Sequence, residues 1–478
     1  MTVAPDLELL SGGALVHRVT PMRAMTVAMI LAIGCGASSR SGGSSPDAGP
    51  VADVGPTFVG PAQDAGPAAT IRSIPCPLNP TILWSRTFAD EVDFRGVAGE
   101  DGSLYWIEYD PPPTVYRDPA ASAWIGSADA NGRDRFRVRT ELTYPVDAHL
   151  IAGDLLVVAK GAIVAAFDAA NGSTAWSLDL RHTYTDDRAR SQGIADLGNG
   201  KLALAMYDSN IASGLYIVDE ATGAIVWSAV GGAEIGYRVQ ASDGAGVVIA
   251  SGNYENHYSP EVFAVDSSGR ELWRHRIGDG ALLAWPSGAP WIKAPGTSFA
   301  HDYVPVPDSW VTAIGGSDLV FAVKVGSAPT SPNILDVVRG AAVVASGALQ
   351  GTNPYDDFTV FPFLAGGGDH AVIVTQRWPS YPGLCHPSRA AEAAIQRFDS
   401  TSSWQCAFSF DSESGIEGAA LLPGRLVIGR RTYLNTSCTN QRPQPVTIEA
   451  YALPGEVLAA SGWVQKAGSP GMGFRQRR

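Results

Sequence analysis

Five cysteines, eight histidines and two acidic pairs are the residues of this 478-residue chain whose types could do more than pack. Cys35, Cys76, Cys385, Cys406 and Cys438 stand at irregular spacings with no C-x-x-C among them. That pattern suits disulfides or acylation better than a zinc site, which needs ligands paired at short spacing. Asp186-Asp187 and Asp356-Asp357 are carboxylate pairs beside turn-rich stretches. General acid–base chemistry uses such pairs only when other groups converge on them, so here they read as solvated surface. His257, His301 and His386 are isolated and read as loop or rim histidines. The chain has no G-x-S-x-G elbow, H-E-x-x-H, P-loop or G-x-G-x-x-G. No residue is therefore assigned a catalytic or metal-binding role.

The elements that must position these residues are visible as repeats. Phe167-Asp168-Ala-Ala-Asn-Gly172-Ser-Thr-Ala-Trp176 is followed by Val218-Asp219-Glu-Ala-Thr-Gly223-Ala-Ile-Val-Trp227 and Val265-Asp266-Ser-Ser-Gly269-Arg-Glu-Leu-Trp273. An earlier copy, Ala128-Asp129-Ala-Asn-Gly132-Arg-Asp-Arg-Phe136, has Phe for Trp. The Asp-to-Gly gap is four or three, while the Gly-to-aromatic gap stays at four. A hairpin needs that combination: a turn of variable length, then a fixed register along the return strand. Asp can accept bonds from turn amides, Gly supplies positive φ, and the aromatic offers a ring to stack between neighbouring sheets. Upstream partner strands precede each motif at Gly102–Tyr109, Asp154–Lys160, Lys201–Tyr207, Gly246–Ser251, Asp318–Val325, His370–Trp378 and Gly424–Thr432. Weaker motifs at Ile334–Val344, Ile395–Phe408 and Ile448–Leu458 place Asp336, Asp399 and Tyr451 at the turn position. Seven units with a period near 54 residues fit propeller blades, not helical solenoid repeats.

This aromatic/aliphatic–Asp–x–x–(x)–Gly–x–x–x–Trp pattern resembles the PQQ-like repeat of the quinoprotein alcohol dehydrogenase-like β-propeller superfamily. The likeness runs from about Thr81 to Gly462, and the tail from Ser461 is similar to the tail of bacterial members, with Val464 where Pro is usual. The resemblance implies an all-β fold: one β-propeller, seven blades of four antiparallel strands. It covers PQQ-dependent dehydrogenases and cofactor-free, BamB-type scaffolds. A PQQ enzyme would carry two adjacent cysteines and a longer, eight-bladed ring; neither is found here, so no cofactor is expected. Ile82-Leu83-Trp84-Ser85-Arg86 looks like a fourth strand lying ahead of blade 1, and most simply completes blade 7; Glu456–Ala460 is the alternative. By blade membership, the expected bridges are Cys76–Cys438 and Cys385–Cys406.

Upstream, Met22–Cys35 has one Arg, a short apolar run from Ala24 to Ile33, then Gly34-Cys35. The run is too short to span a bilayer and about right for a signal-peptide core. It resembles a bacterial lipobox with Cys35 as the acylated residue, although Ala32 stands where Leu is usual and the true start reads as Met22 or Met25. Residues 36–75 are rich in Pro, Gly, Ser, Ala and Asp and read as a disordered linker. The expected organisation is a signal peptide over 1–35, the linker over 36–75, the propeller over 76–462 and a tail over 463–478.

Charged residues are only 17% and the net charge is −13, which excludes a nucleic-acid footprint. The functional expectation is a membrane-tethered, exported scaffold binding a protein or glycan at the cell envelope, routed to the outer membrane of a Gram-negative bacterium. The alternative is an exported propeller enzyme acting on polysaccharide. A carboxylate pair or a His/Tyr/Arg constellation in the central funnel would favour the enzyme; an uncharged or purely aromatic funnel would favour the scaffold. The long connections fall between strands b and c and between blades 4 and 5. They carry Tyr116, Tyr254, His257, Tyr258, Trp285, Trp291, Tyr303 and Tyr381, the candidate binding-face residues.

Overall fold

Alternation sets the strands. In Glu91-Val-Asp-Phe-Arg95, Val92 and Phe94 are buried while the three charged residues that alternate with them are half-buried, which is the period of a strand with one apolar face. The computed structural model describes residues 68–77, 81–89, 91–99, 101–113, 118–184, 189–208, 212–232, 235–242, 246–253, 261–276, 310–315, 319–324, 334–339, 342–349, 357–378, 392–408, 414–432 and 445–457. Among these residues there is no helix, and the strands form seven sheets.

Each sheet is an antiparallel meander, strands a to d, and the seven are the blades of a β-propeller. Blade 1 comprises Glu91–Ala98, Leu104–Asp110, Ser122–Ala128 and Asp134–Thr143. Blade 2 comprises Ala148–Ala152, Leu155–Lys160, Ile163–Asp168 and Thr174–Asp179. Blade 3 comprises Arg190–Gly198, Lys201–Asp208, Ala212–Asp219 and Ile225–Gly232. Blade 4 comprises Ile235–Ser242, Gly246–Asn253, Glu261–Asp266 and Glu271–Arg276. Blade 5 comprises Trp310–Gly315, Val320–Lys324, Ile334–Arg339 and Ala342–Ala348. Blade 6 comprises Asp357–Ala365, His370–Trp378, Glu392–Asp399 and Ser402–Phe408. Blade 7 takes strands a to c from Ser414–Leu422, Arg425–Thr432 and Val446–Ala452, and strand d from Ile82–Phe88. The N-terminal strand thus closes the ring, and Glu456 instead follows strand c, where its carbonyl accepts the Gly424 amide.

The turn motif works across blade boundaries. Asp129, Asp168, Asp219 and Asp266 accept amides within their own turns, such as Ala170 N at 2.7 Å and Ser268 N at 2.9 Å. The glycine that closes each turn meets the aromatic of the preceding blade. A Cβ on Gly223 would lie 2.6 Å from the Trp176 ring, and one on Gly269 2.2 Å from Trp227. Gly132 faces Trp84 and Gly172 faces Phe136 in the same way. Trp84 Nε1 donates to Ala130 O at 3.1 Å and Trp176 Nε1 to Glu220 O at 2.6 Å, in each case the carbonyl just after the turn Asp. Phe136 has no N–H; the corresponding carbonyl, Ala169 O, accepts from Tyr105 Oη at 2.9 Å instead. A β-bulge one residue before each aromatic re-aims the ring: the c–d register slips at Leu83, Arg135, Ala175, Val226 and Leu272.

Four expectations need correction. The linker expected over 36–75 ends sooner, because Ala69–Thr70 and Arg72–Ile74 add as parallel fifth strands to strand d of blades 5 and 6. This strap carries few apolar residues, but Ile71 inserts it into the core between those blades and is 6% exposed. Neither expected disulfide pairing holds: Cys76 pairs with Cys406, with Cα atoms 5.1 Å apart. The strap brings Cys76 beside strand d of blade 6 before the chain reaches blade 7, so blade membership misassigned it. Cys385 and Cys438 lie outside the described residues. Asp336 is not a turn residue; it sits within strand c of blade 5, opposite Ser346, whose Oγ donates to it at 2.6 Å. Tyr451 is likewise within a strand.

Trp176→Ala should lower stability by about 3 kcal/mol, since it empties a packed aromatic site and strands a buried carbonyl. Trp176→Phe should recover most of the packing but not the hydrogen bond. Urea unfolding of the two variants separates the contributions. Cys406→Ser should lower the melting temperature and open residues 69–76 to limited proteolysis, while the far-ultraviolet spectrum of the ring is kept.

Candidate functional site

The first strands of neighbouring blades abut one another, and polar side chains on them reach across to the adjacent blade. Glu91, Asp93 and Arg95 share one face of blade 1 by strand alternation. Arg95 Nε donates to both Asp93 oxygens at 2.9 Å, and its Nη2 donates to Val146 O at 3.0 Å in the chain entering blade 2. Burial pushes the Asp93 carboxyl up, but the Arg95 guanidinium holds it below the usual carboxylate range. Asp147 accepts Gly161 N at 2.9 Å and Ser191 N at 3.3 Å, tying blade 2 to blade 3; burial still raises its pKa. Tyr109 Oη accepts Val146 N at 3.0 Å, and burial raises the phenol well above its ordinary value.

Similar ties recur around the same face. Ser213 Oγ accepts Tyr237 N at 3.1 Å between blades 3 and 4, and Gln376 Oε1 accepts Ile416 N at 2.5 Å between blades 6 and 7. Arg431 of blade 7 donates to Glu91 Oε1 at 2.9 Å, Glu417 Oε1 at 3.1 Å and Val92 O at 2.9 Å. Burial, with Glu417 adding to it, raises the Glu91 pKa against the pull of Arg431. Asp93, Arg95 and Tyr109 thus meet buried His149 at one blade joint. These acids and bases are turned upon one another as clamps between blades.

His149 is the exception. It sits in strand a of blade 2 with no exposed surface, and neither ring nitrogen has a hydrogen-bond partner among the described residues. Burial lowers its pKa to about 4, Arg95 acting in the same direction and Asp93 against it. His370 is the opposite case. At the joint of blades 6 and 7, where the Asp–Gly–Trp motif is missing, its Nδ1 meets Asp369 Oδ1 at 2.6 Å and its Nε2 meets Glu456 Oε2 at 2.5 Å. Arg397 Nε donates to Glu456 Oε1 at 3.1 Å, completing an ionic joint in place of an aromatic one. Burial alone would lower the His370 pKa, but the two carboxylates raise it overall.

Tyr116, Tyr254, His257, Tyr258, Trp285, Trp291, Tyr303 and Tyr381 lie outside the described residues, as do Cys35, Asp186, Asp187, Asp356, His301 and His386. Of the repeat residues, Asp129, Asp168, Asp219 and Asp266 accept amides of their turns, and Gly172, Gly223 and Gly269 meet aromatic rings of the preceding blade, Trp176 and Trp227 among them. Sequence reasoning missed the Asp93–Arg95–His149 group and the His370–Glu456 pair. The first was legible as three charges at period two in an otherwise apolar strand; the second joins residues 86 positions apart and left no local signal.

No family model matches the chain, and no curated protein matches it. Solved structures align with it only at low similarity. BamB from Moraxella catarrhalis aligns at 13% identity and TM-score 0.34, covering 78% of this chain and 100% of that one. A quinohemoprotein alcohol dehydrogenase from Comamonas testosteroni aligns at 11% and 0.38, covering 80% and 78%. The WD40 domain of SCAP from fission yeast aligns at 7% and 0.42, covering 78% and 98%. The assignment of the fold rests on the chain's own sheet order.

The two histidines should move stability in opposite directions with pH. His149 has a depressed folded pKa, so the unfolded chain takes up a proton first as pH falls. Stability should drop between about pH 6.5 and pH 4, by on the order of 3 kcal/mol, and His149→Leu should remove that part of the slope. His370 has a raised folded pKa. Its contribution is present below about pH 6.5 and should fade as pH rises through the raised value; His370→Gln should flatten that limb. Chemical denaturation of the two variants from pH 4 to 8 measures both.

Proposed function

We propose that this chain is an exported, lipid-anchored propeller that acts as a protein-binding scaffold at the cell envelope. The observation that carries this reading is the inequality of the two faces. On one face the c–d turns are closed within a few residues by their own Asp and Gly, as at Asp168–Gly172 and Asp266–Gly269, leaving little side chain to recognise a partner. On the other, connections run from Asn253 to Glu261, from Trp378 to Glu392, from Thr432 to Val446 and from Arg276 to Trp310. Those connections spring from a collar of mutually engaged charges, and rigid frameworks commonly present function on such loops. The aromatic residues among them are the anchors we assign to a partner. Anchorage through Cys35 accounts for a signal-like segment followed by residues of low apolar content.

A second reading, an exported enzyme on the same ring, is favoured by one observation: buried His149, without a hydrogen-bond partner among the described residues, near Asp93 and Arg95. The engagement of Asp93 by Arg95 weighs against it, because a catalytic carboxylate must be available to substrate.

Substituting Tyr254, Tyr258 and Trp291 together by Ala should abolish capture of an envelope protein while the melting temperature is unchanged. Loss of capture of isolated polysaccharide instead would identify a glycan ligand. Retention of both would remove the loop face from consideration. Cys35→Ala should move the protein from the membrane to the soluble fraction; continued membrane association would refute the anchor.

A further inference from the structure

The outer strands of the blades differ in a way that the fold alone does not require. Strand d carries charge in blade 1 (Asp134, Arg135, Arg137), blade 2 (Asp179), blade 4 (Glu271, Arg274) and blade 7 (Arg86). Charged residues on an edge strand discourage addition of a further strand. Three outer strands carry no charge at all: Ala342–Ala348 in blade 5, Ser402–Phe408 in blade 6 and Ile225–Gly232 in blade 3. The first two are covered by the chain's own strap, with Ala69 opposite Ala345 and Thr70 opposite Ser346, and Arg72, Ser73 and Ile74 opposite Ser402, Ser403 and Trp404. The third is the last strand of its sheet. It exposes Ile225 at 41%, Val226 at 50% and Val230 at 52%, half of the large apolar residues exposed among the described ones. Its bulge falls at Val226, as that of the covered blade 5 strand falls at Val344, so Trp227 and Ser228 match Ala345 and Ser346.

We propose that the outer edge of blade 3 is a strand-addition site for an extended, uncharged or weakly charged peptide segment of a partner protein, which pairs in parallel with Trp227–Val230 as the strap pairs with blades 5 and 6. Backbone hydrogen bonds supply the affinity, and Val226 and Val230 take small or β-branched side chains of the kind the strap presents. A second copy of this chain is the poorer occupant. Two rigid rings meeting along one strand of eight residues fall short of the roughly 1,000 Å² that a stable interface needs, whereas a flexible segment can follow the strand and its flank. The proposal rests on the scaffold reading but uses a different surface from the loop face.

The probe is a fluorescent, end-blocked peptide with the strap sequence Ala69–Ile74, added to the full chain. It should bind one to one and slow amide exchange over residues 225–232. Val226→Lys with Val230→Lys should weaken binding at least tenfold without lowering the melting temperature; Ser177→Lys on the blade 2 edge should leave it unchanged. A peptide N-methylated at alternate residues should bind at least tenfold more weakly. Equal binding to the double variant, or no binding, overturns the proposal. So does protection of 225–232 in the free chain: if concentration-dependent, the occupant is a second copy; if not, it is this chain itself. If the edge fails while the Tyr254/Tyr258/Trp291 variant still loses its partner, the scaffold reading stands and only the edge site falls. If both fail, both readings do.

Discussion

The seating of an aromatic ring on the turn glycine of the next blade is the contact on which the ring depends. One bare backbone face, held at φ +70 in Gly223 and +82 in Gly269, lets an indole lie where any side chain would collide. The hairpin turn is thus shaped by its neighbour as much as by its own strands. Among the described residues, the joints from blade 7 through blade 1 to blade 4 are made this way. Closure comes from Ile82–Phe88, whose Trp84 completes the joint from blade 7 to blade 1.

The joints show how one geometry is met by different chemistry. Trp donates to the neighbouring carbonyl where it can; where Phe136 cannot, Tyr105 does. Where the motif lapses, at blades 6 and 7, an imidazole between two carboxylates takes its place. The opposite face is tied by side chains that cap the first residues of the next blade. The framework is fastened on both faces, and the buried charges of the inner strands take part in that fastening.

The fold was legible because the motif is local. Asp, Gly and Trp lie within nine residues, as in Asp168–Trp176, and their spacing follows from a turn and a bulge. The closing strand was legible because it repeats the same strand signature. The strap was not: Ala69–Ile74 has neither alternation nor length, and it becomes strand only because blades 5 and 6 present open, uncharged edges. The disulfide followed the strap and was misread with it. The clamp residues are spread over blades whose adjacency is a property of the ring, so only the period of Glu91, Asp93 and Arg95 hinted at them.

The closing strand also fixes an order of events during synthesis. Residues 82–88 leave the ribosome before any blade exists, yet their hydrogen-bonding partners, Val446–Ala452, come last. Until then the growing chain has an unmated sheet at its trailing end and a loose tail at its leading end. Cys76 likewise waits 330 residues for Cys406, passing Cys385 on the way. A ring of this design cannot be closed, nor its early thiol paired, until the last blades have been made.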